Sequence, residues 1–386
     1  MTKRTTFITF FSIILTLYGF LNYYIFSHGL DLVTEHTTTR ILFTVIFWTI
    51  ALAYLAGRFL EHWKISAVST TLVWIGSFWL AAMIYLYFIV LTMDILKLFN
   101  YLLHIVPLTL YNNFASWFFS IATLGVIIAL IIGYLNAKSL RIKRLNLTIH
   151  KKAGSRSRLT IAAASDIHLG TIIGRNRLGK IVEMINSMQA DIVLLPGDIV
   201  DEDLGPVINN NLGEVLRSIR SRFGVFAITG NHEYIGGVEE ACQYLIDHNI
   251  TMLRDAAIKI DESFYIIGRE DRSIRQFNGK SRMPLKELLA EVDTQLPLIM
   301  MDHQPGKLQD AVDHGIDLQI SGHTHHAQLW PFHLITERIF EVSWGYKKKS
   351  NTHIYVSSGT GTWGPPVRLG NTPEIIHLEL IFQPQS

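Results

Sequence analysis

Asp317-Leu318-Gln319-Ile320-Ser321-Gly322-His323-Thr324-His325 decides how this chain reads. A short strand-like run breaks at a glycine and delivers two imidazoles flanking one threonine. Glycine permits close backbone approach, and neutral imidazoles suit divalent metals such as Mn, Fe, Zn or Ni. Four other strand-like runs end in the same way. Residues 158–165 lead into Asp166-Ile167-His168, and residues 191–195 lead to Gly197-Asp198. Residues 225–229 lead into Gly230-Asn231-His232-Glu233, and residues 297–301 into Asp302-His303. Helical patterns lie between them, at residues 175–188, 211–220 and 238–248. Strands alternating with helices predict an α/β domain. Ligands of such sheets bind beyond the carboxyl ends of the strands. Five strand ends therefore aim Asp166, His168, Asp198, Asn231, His303, His323 and His325 at one rim. Seven donors exceed one four-coordinate site and fit two adjacent metals sharing a bridging carboxylate.

The first part of the chain is of another kind. Of the 386 residues, 49% are hydrophobic and only 17% charged, against about 25% charged in ordinary soluble domains. Residues 5–26, 41–57, 67–93 and 114–135 carry no charge. About 20 apolar residues span a bilayer as a helix, so four transmembrane helices are expected. The stretch holding Asp94, Lys97, Asn100 and His104 reads as an amphipathic helix on the outer surface. Lys and Arg concentrate before the first span, between the second and third, and after the fourth. That alternation predicts cytoplasmic termini and a cytoplasmic second half. One cysteine, Cys242, excludes an intramolecular disulfide framework and a Cys-based zinc site. A net charge of +2 says little, because it averages two unlike halves, and no nucleic-acid partner is expected.

The ordered motifs resemble the calcineurin-like metallophosphoesterase superfamily: D-x-H, GD, GNH[ED], a later His and GHxH. The resemblance covers roughly residues 158–382. It looks closest to the membrane-anchored bacterial branch through Met301-Asp302-His303-Gln304-Pro305, Ser321-Gly322-His323-Thr324-His325 and Trp363-Gly364-Pro365-Pro366-Val367-Arg368. It implies a two-layered β-sandwich flanked by helices and a site for two divalent metal ions. One metal would take Asp166, His168 and His325, the other Asn231, His303 and His323, with Asp198 bridging. His232 would face the substrate phosphate, and Asp201 would orient it. A metal-bridging hydroxide would attack phosphorus in line.

The organisation expected is a transmembrane anchor (1–137), a basic juxtamembrane linker (138–157) and the phosphoesterase domain (158–386). Glu202 and Asp203 stand where related protein phosphatases carry Arg-Gly, and acids there repel a phosphate dianion. His326, Arg269 and Arg368 are candidate substrate contacts. The expected function is hydrolysis of a phosphate ester, diester or pyrophosphate bond, with a lipid or nucleotide-activated lipid favoured by the anchor. The resemblance extends to UDP-diacylglucosamine hydrolases. A tethered enzyme for a soluble nucleotide-like substrate is the alternative, and a non-catalytic membrane sensor or scaffold a minor one.

Overall fold

The computed structural model of the chain describes residues 3–33 and 36–383. The chain divides into two compact units, Met1–Gly133 and Tyr134–Ser386.

The first unit is helical. Its helices are α1 (Lys3–Leu32), α2 (Thr37–Trp63), α3 (Ala67–Leu103) and α4 (Leu108–Lys138), whose last turn lies in the second unit. Among the described residues, Thr37–Trp63, Ala67–Leu103 and Trp117–Lys138 are long and apolar enough to cross a membrane. The further span expected at residues 5–26 rests partly on side chains outside the described set. The stretch around Asp94 is not a separate surface helix. It continues α3, because nothing between Met93 and Leu103 breaks a helix, and His104 ends it with φ 53°. At about 1.5 Å per residue α3 is longer than a hydrocarbon core of about 30 Å. Asp94 Oδ1 lies 3.0 Å from His28 Nε2, and the Tyr24 hydroxyl donates to Asp94 Oδ2.

Among the described residues, the second unit holds twelve strands: β1 (Arg141–Ile149), β2 (Arg158–Ala163), β3 (Ile192–Pro196), β4 (Val225–Ile228), β5 (Ile250–Met252), β6 (Ala256–Ile260), β7 (Phe264–Gly268), β8 (Leu298–Met301), β9 (Leu318–Ser321), β10 (Gly345–Lys349), β11 (Thr352–Val356) and β12 (Glu374–Phe382). One sheet runs β1-β12-β2-β3-β4-β5, the other β10-β11-β9-β8-β7-β6. Strands β2, β3, β4 and β5 are parallel, as are β7, β8 and β9. Period-2 alternation gives each sheet an inner apolar face. Ile161, Leu194 and Phe226 from the first sheet share one core with Phe264, Ile299, Ile320 and Tyr355 from the second. The first sheet buries its other face under the helix Arg175–Ser187, through Leu178, Ile181, Val182 and Ile185. The second sheet covers its own with Leu285, Leu289 and Ala311. This is a β-sandwich flanked by helices.

Two local expectations change. Residues 141–149, placed in the linker from their charge, form β1, paired in parallel with β12 along its whole length. Arg141, Lys143 and Arg144 are exposed in the first half of the strand, while Leu147 and Ile149 at its far end enter the sandwich core. The helix expected at 211–220 is shorter, Leu212–Arg217, and a further short helix, Leu204–Asn209, precedes it, with Asn211 between them at φ 51°.

The inner core carries the stability of this unit. Phe264→Ala, at a fully buried site, is expected to destabilise it by about 3–5 kcal/mol. Ile208→Ala, at an exposed site, is expected to change it by about 0.5 kcal/mol or less. Thermal unfolding of the two variants side by side checks the contrast.

Candidate metal centre

The parallel strands direct their carboxyl ends to one edge of the sandwich. From the first sheet, β2 leads to Asp166 and His168, β3 to Asp198, and β4 to Asn231 and His232. From the second, β8 leads to His303 and β9 to His323 and His325. Among the described residues, three groups have ligand atoms within 4.8 Å of one another: Asp166, His168 and His325; His168, Asp198 and His232; Asp198, His303 and His323. His168 Nε2 lies 2.9 Å from His325 Nε2, and Asp166 Oδ1 lies 3.6 Å from His325 Nε2. Asn231 Oδ1 lies 2.8 Å from His323 Nδ1 and 3.2 Å from His303 Nε2. Asp198 Oδ2 stands between these groups, 3.0 Å from His303 Nε2 and 4.0 Å from His168 Nε2. The structure thus brings together all seven donors expected from sequence.

This cluster fits divalent cations on its own chemistry. Asp166 is fully buried, yet its Oδ2 has no hydrogen-bond partner, nor does His168 Nδ1. A buried carboxylate oxygen without a donor requires a compensating charge. Imidazole nitrogens bound to one metal at about 2.0–2.1 Å stand roughly 3 Å apart, as His168 and His325 do. Asp198 is placed to serve both groups.

The backbone is bent to build this site. Asp166, His168, Asp198, His323, His325 and His326 all have φ between 45° and 71°. Left-handed geometry at non-glycine residues is costly and clusters where function demands it. Two glycines let the loops converge. A Cβ on Gly230 would stand 2.1 Å from Asp198 Oδ1, and one on Gly322 2.2 Å from Asp166 Oδ2. The buried Glu233 carboxylate accepts from the backbone N–H groups of Asp198, Ile199, Val200 and Gly230. It ties the β3 loop to the β4 loop. His303 Nδ1 meets the Pro196 carbonyl at 2.8 Å, which fixes the ring and leaves Nε2 for the cluster.

Electrostatics follows the same geometry. Burial alone would raise Asp198, but His303, with His232 and His168, holds it well below the usual carboxylate range. Burial holds His325 well below the imidazole range, and the neighbouring His168 and Arg368 add to the effect. His232 behaves oppositely. Burial lowers it, but Asp201 and Asp198 outweigh that and raise it to about 9. Asp201 Oδ1 lies 3.0 Å from His232 Nδ1 and 3.6 Å from His168 Nδ1. The His232 ring packs edge-on against His168 at 4.6 Å and against Trp363 at 5.8 Å.

The three candidate substrate contacts lie elsewhere. Arg368 is fully buried, and its guanidinium donates to the Gly359 and Gly361 carbonyls and to Asn371 Oδ1. Its Nη2 lies 3.3 Å from His325 Nδ1, so it sits behind the cluster and braces it. His326 is buried, with Nδ1 3.1 Å from Ser343 Oγ and its ring against Trp344. Arg269 is buried and paired with Asp255 at 3.3 Å. Sequence reasoning assigned no role to Glu233 or Trp363. The GNH[ED] motif already marks the Glu233 position. Trp363 is half exposed beside His232, which the sequence order alone does not reveal.

A helix-flanked sandwich with Asp, His and Asn donors at its strand ends defines a class of metal-dependent phosphoesterase folds. The sequence matches the calcineurin-like phosphoesterase family over residues 159–327. It is 30% identical over 254 residues to an uncharacterized metallophosphoesterase of Aquifex aeolicus, covering 64% of this chain and 96% of that one. It is 33% identical over 230 residues to an uncharacterized metallophosphoesterase of Helicobacter pylori, covering 59% of this chain and 61% of the relative. A Campylobacter jejuni relative, also an uncharacterized metallophosphoesterase, is 29% identical over 380 residues, covering 97% of this chain and 98% of its own. The chain belongs to the calcineurin-like phosphoesterase family, which uses two divalent metal ions. It spans about 61% of the length of the Helicobacter relatives.

Glu233→Gln removes the anionic acceptor shared by four N–H groups. It is expected to cost about 1.5–3 kcal/mol of stability and to lower the metal content of the purified chain. Thermal unfolding and elemental analysis check both. Chelation should likewise lower the melting temperature of the wild type, because cations bound only by the folded state stabilise it.

Proposed function

We propose that this chain is a multi-pass membrane protein whose cytoplasmic second unit hydrolyses a phosphorus–oxygen ester or anhydride bond of a phosphorylated lipid or nucleotide-activated lipid. The observation that carries this reading is the seven-donor cluster, with Asp198 between its halves and His232 at its edge. Two divalent ions held there would polarise the phosphoryl oxygens and lower the pKa of water toward neutrality. Asp166, His168 and His325 would hold one ion, and Asn231, His303 and His323 the other, with Asp198 shared.

His232 completes the chemistry. Asp201 and Asp198 raise its imidazole, which favours the protonated form that would donate a proton or hydrogen bond to a phosphoryl or leaving oxygen. Its backbone N–H donates to Asp198 Oδ1 at 2.8 Å, so the catalytic side chain is indexed to the shared carboxylate. Trp363, half exposed beside it, offers a flat wall for the leaving group.

The lipid reading rests on a second feature. Trp330, Leu334, Ile335 and Ile339 are all exposed on the segment that follows His323 and His325. A cluster of exposed apolar side chains suits a lipid surface or acyl chain. The alternation of basic loops supports cytoplasmic termini.

The test is Mn-dependent hydrolysis of an aryl phosphodiester and monoester by the full-length chain in micelles. Asp198→Ala should lose both metal and activity. His232→Ala should keep metal and lose about 10²–10⁴-fold in turnover. Metal-free wild type that stays inactive under every metal tried would contradict the reading. The Asp201 carboxylate raises His232, so Asp201→Asn should move the alkaline limb of the pH–rate profile to lower pH, by about 1–3.

A further inference from the structure

A cavity of about 650 Å³ is lined by Arg269, Arg272, Arg275, Arg282, Lys286 and Lys307, with Asp310 the one carboxylate among its lining residues. No member of the metal cluster lines it. Two of these cations are neutralised within the chain, Arg269 by Asp255 at 3.3 Å and Arg282 by Asp302 at 2.8 Å. Arg272, Arg275, Lys286 and Lys307 have no ion-pair partner among the described residues. Like charges gathered around one void repel. Burial, and then the Arg282 guanidinium, hold Arg269 below its ordinary range.

Arg272 is the sharpest feature. Its Nε and Nη2 are shielded from solvent and have no hydrogen-bond partner. A buried guanidinium donor without an acceptor is unfavourable, and an anion would satisfy it by charge-assisted hydrogen bonds. The guanidinium also lies close to the Gly306 backbone. A Cβ on Gly306 would stand 2.8 Å from Arg272 Nη1, so the group lies against bare backbone.

That backbone belongs to the loop carrying His303. Gly306 follows His303 by three residues, a reach of at most about 11 Å. The loop is cross-braced to the cationic wall. Arg282 Nη1 donates to Asp302 Oδ1, and Gln304 Nε2 donates to both Asp271 carboxylate oxygens at 3.0 and 3.1 Å. The metal cluster and the cavity therefore share one loop.

We propose that this cavity binds a second anionic group of the substrate, a phosphate or carboxylate carried one headgroup away from the scissile phosphorus. The proposal rests on the hydrolase reading and narrows it to doubly anionic substrates. Arg272 and Lys307 are the principal contacts. A substrate with one phosphate leaves the cavity unused, and one with two is held at both ends.

The test uses a matched pair of soluble reporters, thymidine 5′-(4-nitrophenyl phosphate) with and without a 3′-phosphate. The enzyme is the Mn-loaded full-length chain in neutral micelles. Wild type should show a lower KM for the 3′-phosphorylated reporter. In Arg272→Gln/Lys307→Gln that advantage should fall about tenfold, while turnover of the 3′-hydroxyl reporter stays within about twofold, which also shows that the variant is folded. An advantage retained in the double variant, or absent from wild type, overturns the proposal. If wild type cleaves neither reporter, the hydrolase reading fails, and titration calorimetry with inorganic diphosphate judges the cavity alone. Binding weakened about tenfold in the double variant upholds an anion site, and equal binding overturns it. Sedimentation with phosphatidylglycerol vesicles separates the sources. Unchanged vesicle binding in the variant fits a substrate subsite, and lost vesicle binding with unchanged reporter discrimination reassigns the cavity to bulk lipid and overturns the proposal.

Discussion

The Asp198 carboxylate is where the two sheets meet chemically. It leaves the end of β3 in the first sheet and reaches within 3.0 Å of His303 from the second. Everything at this edge is arranged by sheet of origin. The first sheet supplies Asp166, Asp198, Asn231 and His168, and the second supplies His303, His323 and His325. Neither sheet holds a complete ligand set. The acids of one and the imidazoles of the other must share cations if the buried charges are to be compensated. Cations held there would clamp the open edge of the sandwich as well as serve the proposed reaction.

That constraint explains several costly features nearby. Five site residues and the adjacent His326 adopt left-handed backbone geometry, and two glycine positions leave no room for a side chain. Glu233 is buried only because four backbone donors surround it. Arg368 is buried because carbonyls and Asn371 occupy its donors. Asn136, in the last turn of α4, donates to the Arg368 and Asn371 carbonyls. Asn371 in turn donates to the His325 carbonyl at 2.9 Å. A continuous chain of polar contacts thus runs from the end of that helix to a proposed metal ligand.

Much of this was legible in the sequence, for a physical reason. A polar residue at the end of an apolar strand stands out against its surroundings, so Asp166, Asp198 and His303 announce themselves. Strand β1 did not, because Arg141, Lys143 and Arg144 in its first half break the alternation that places Leu147 and Ile149 in the core. Arg368 misled for a related reason. A lone arginine near a phosphate site suggests a substrate contact, and sequence carries no measure of burial. The cavity around Arg272 needed three dimensions, since Lys307 joins the arginines only when the β8 loop folds against the 269–286 segment. The basic loop was visible as composition, but its unsatisfied donors were not.

The central claim is that two cations are held across the edge of the sandwich and share Asp198. Anomalous diffraction from crystals of the Mn-loaded full-length chain tests it most directly. The account predicts two manganese peaks, one beside His168 and His325 and one beside His303 and His323, with Asp198 in contact with both. A single peak, or peaks that leave Asp198 without a metal, would contradict it.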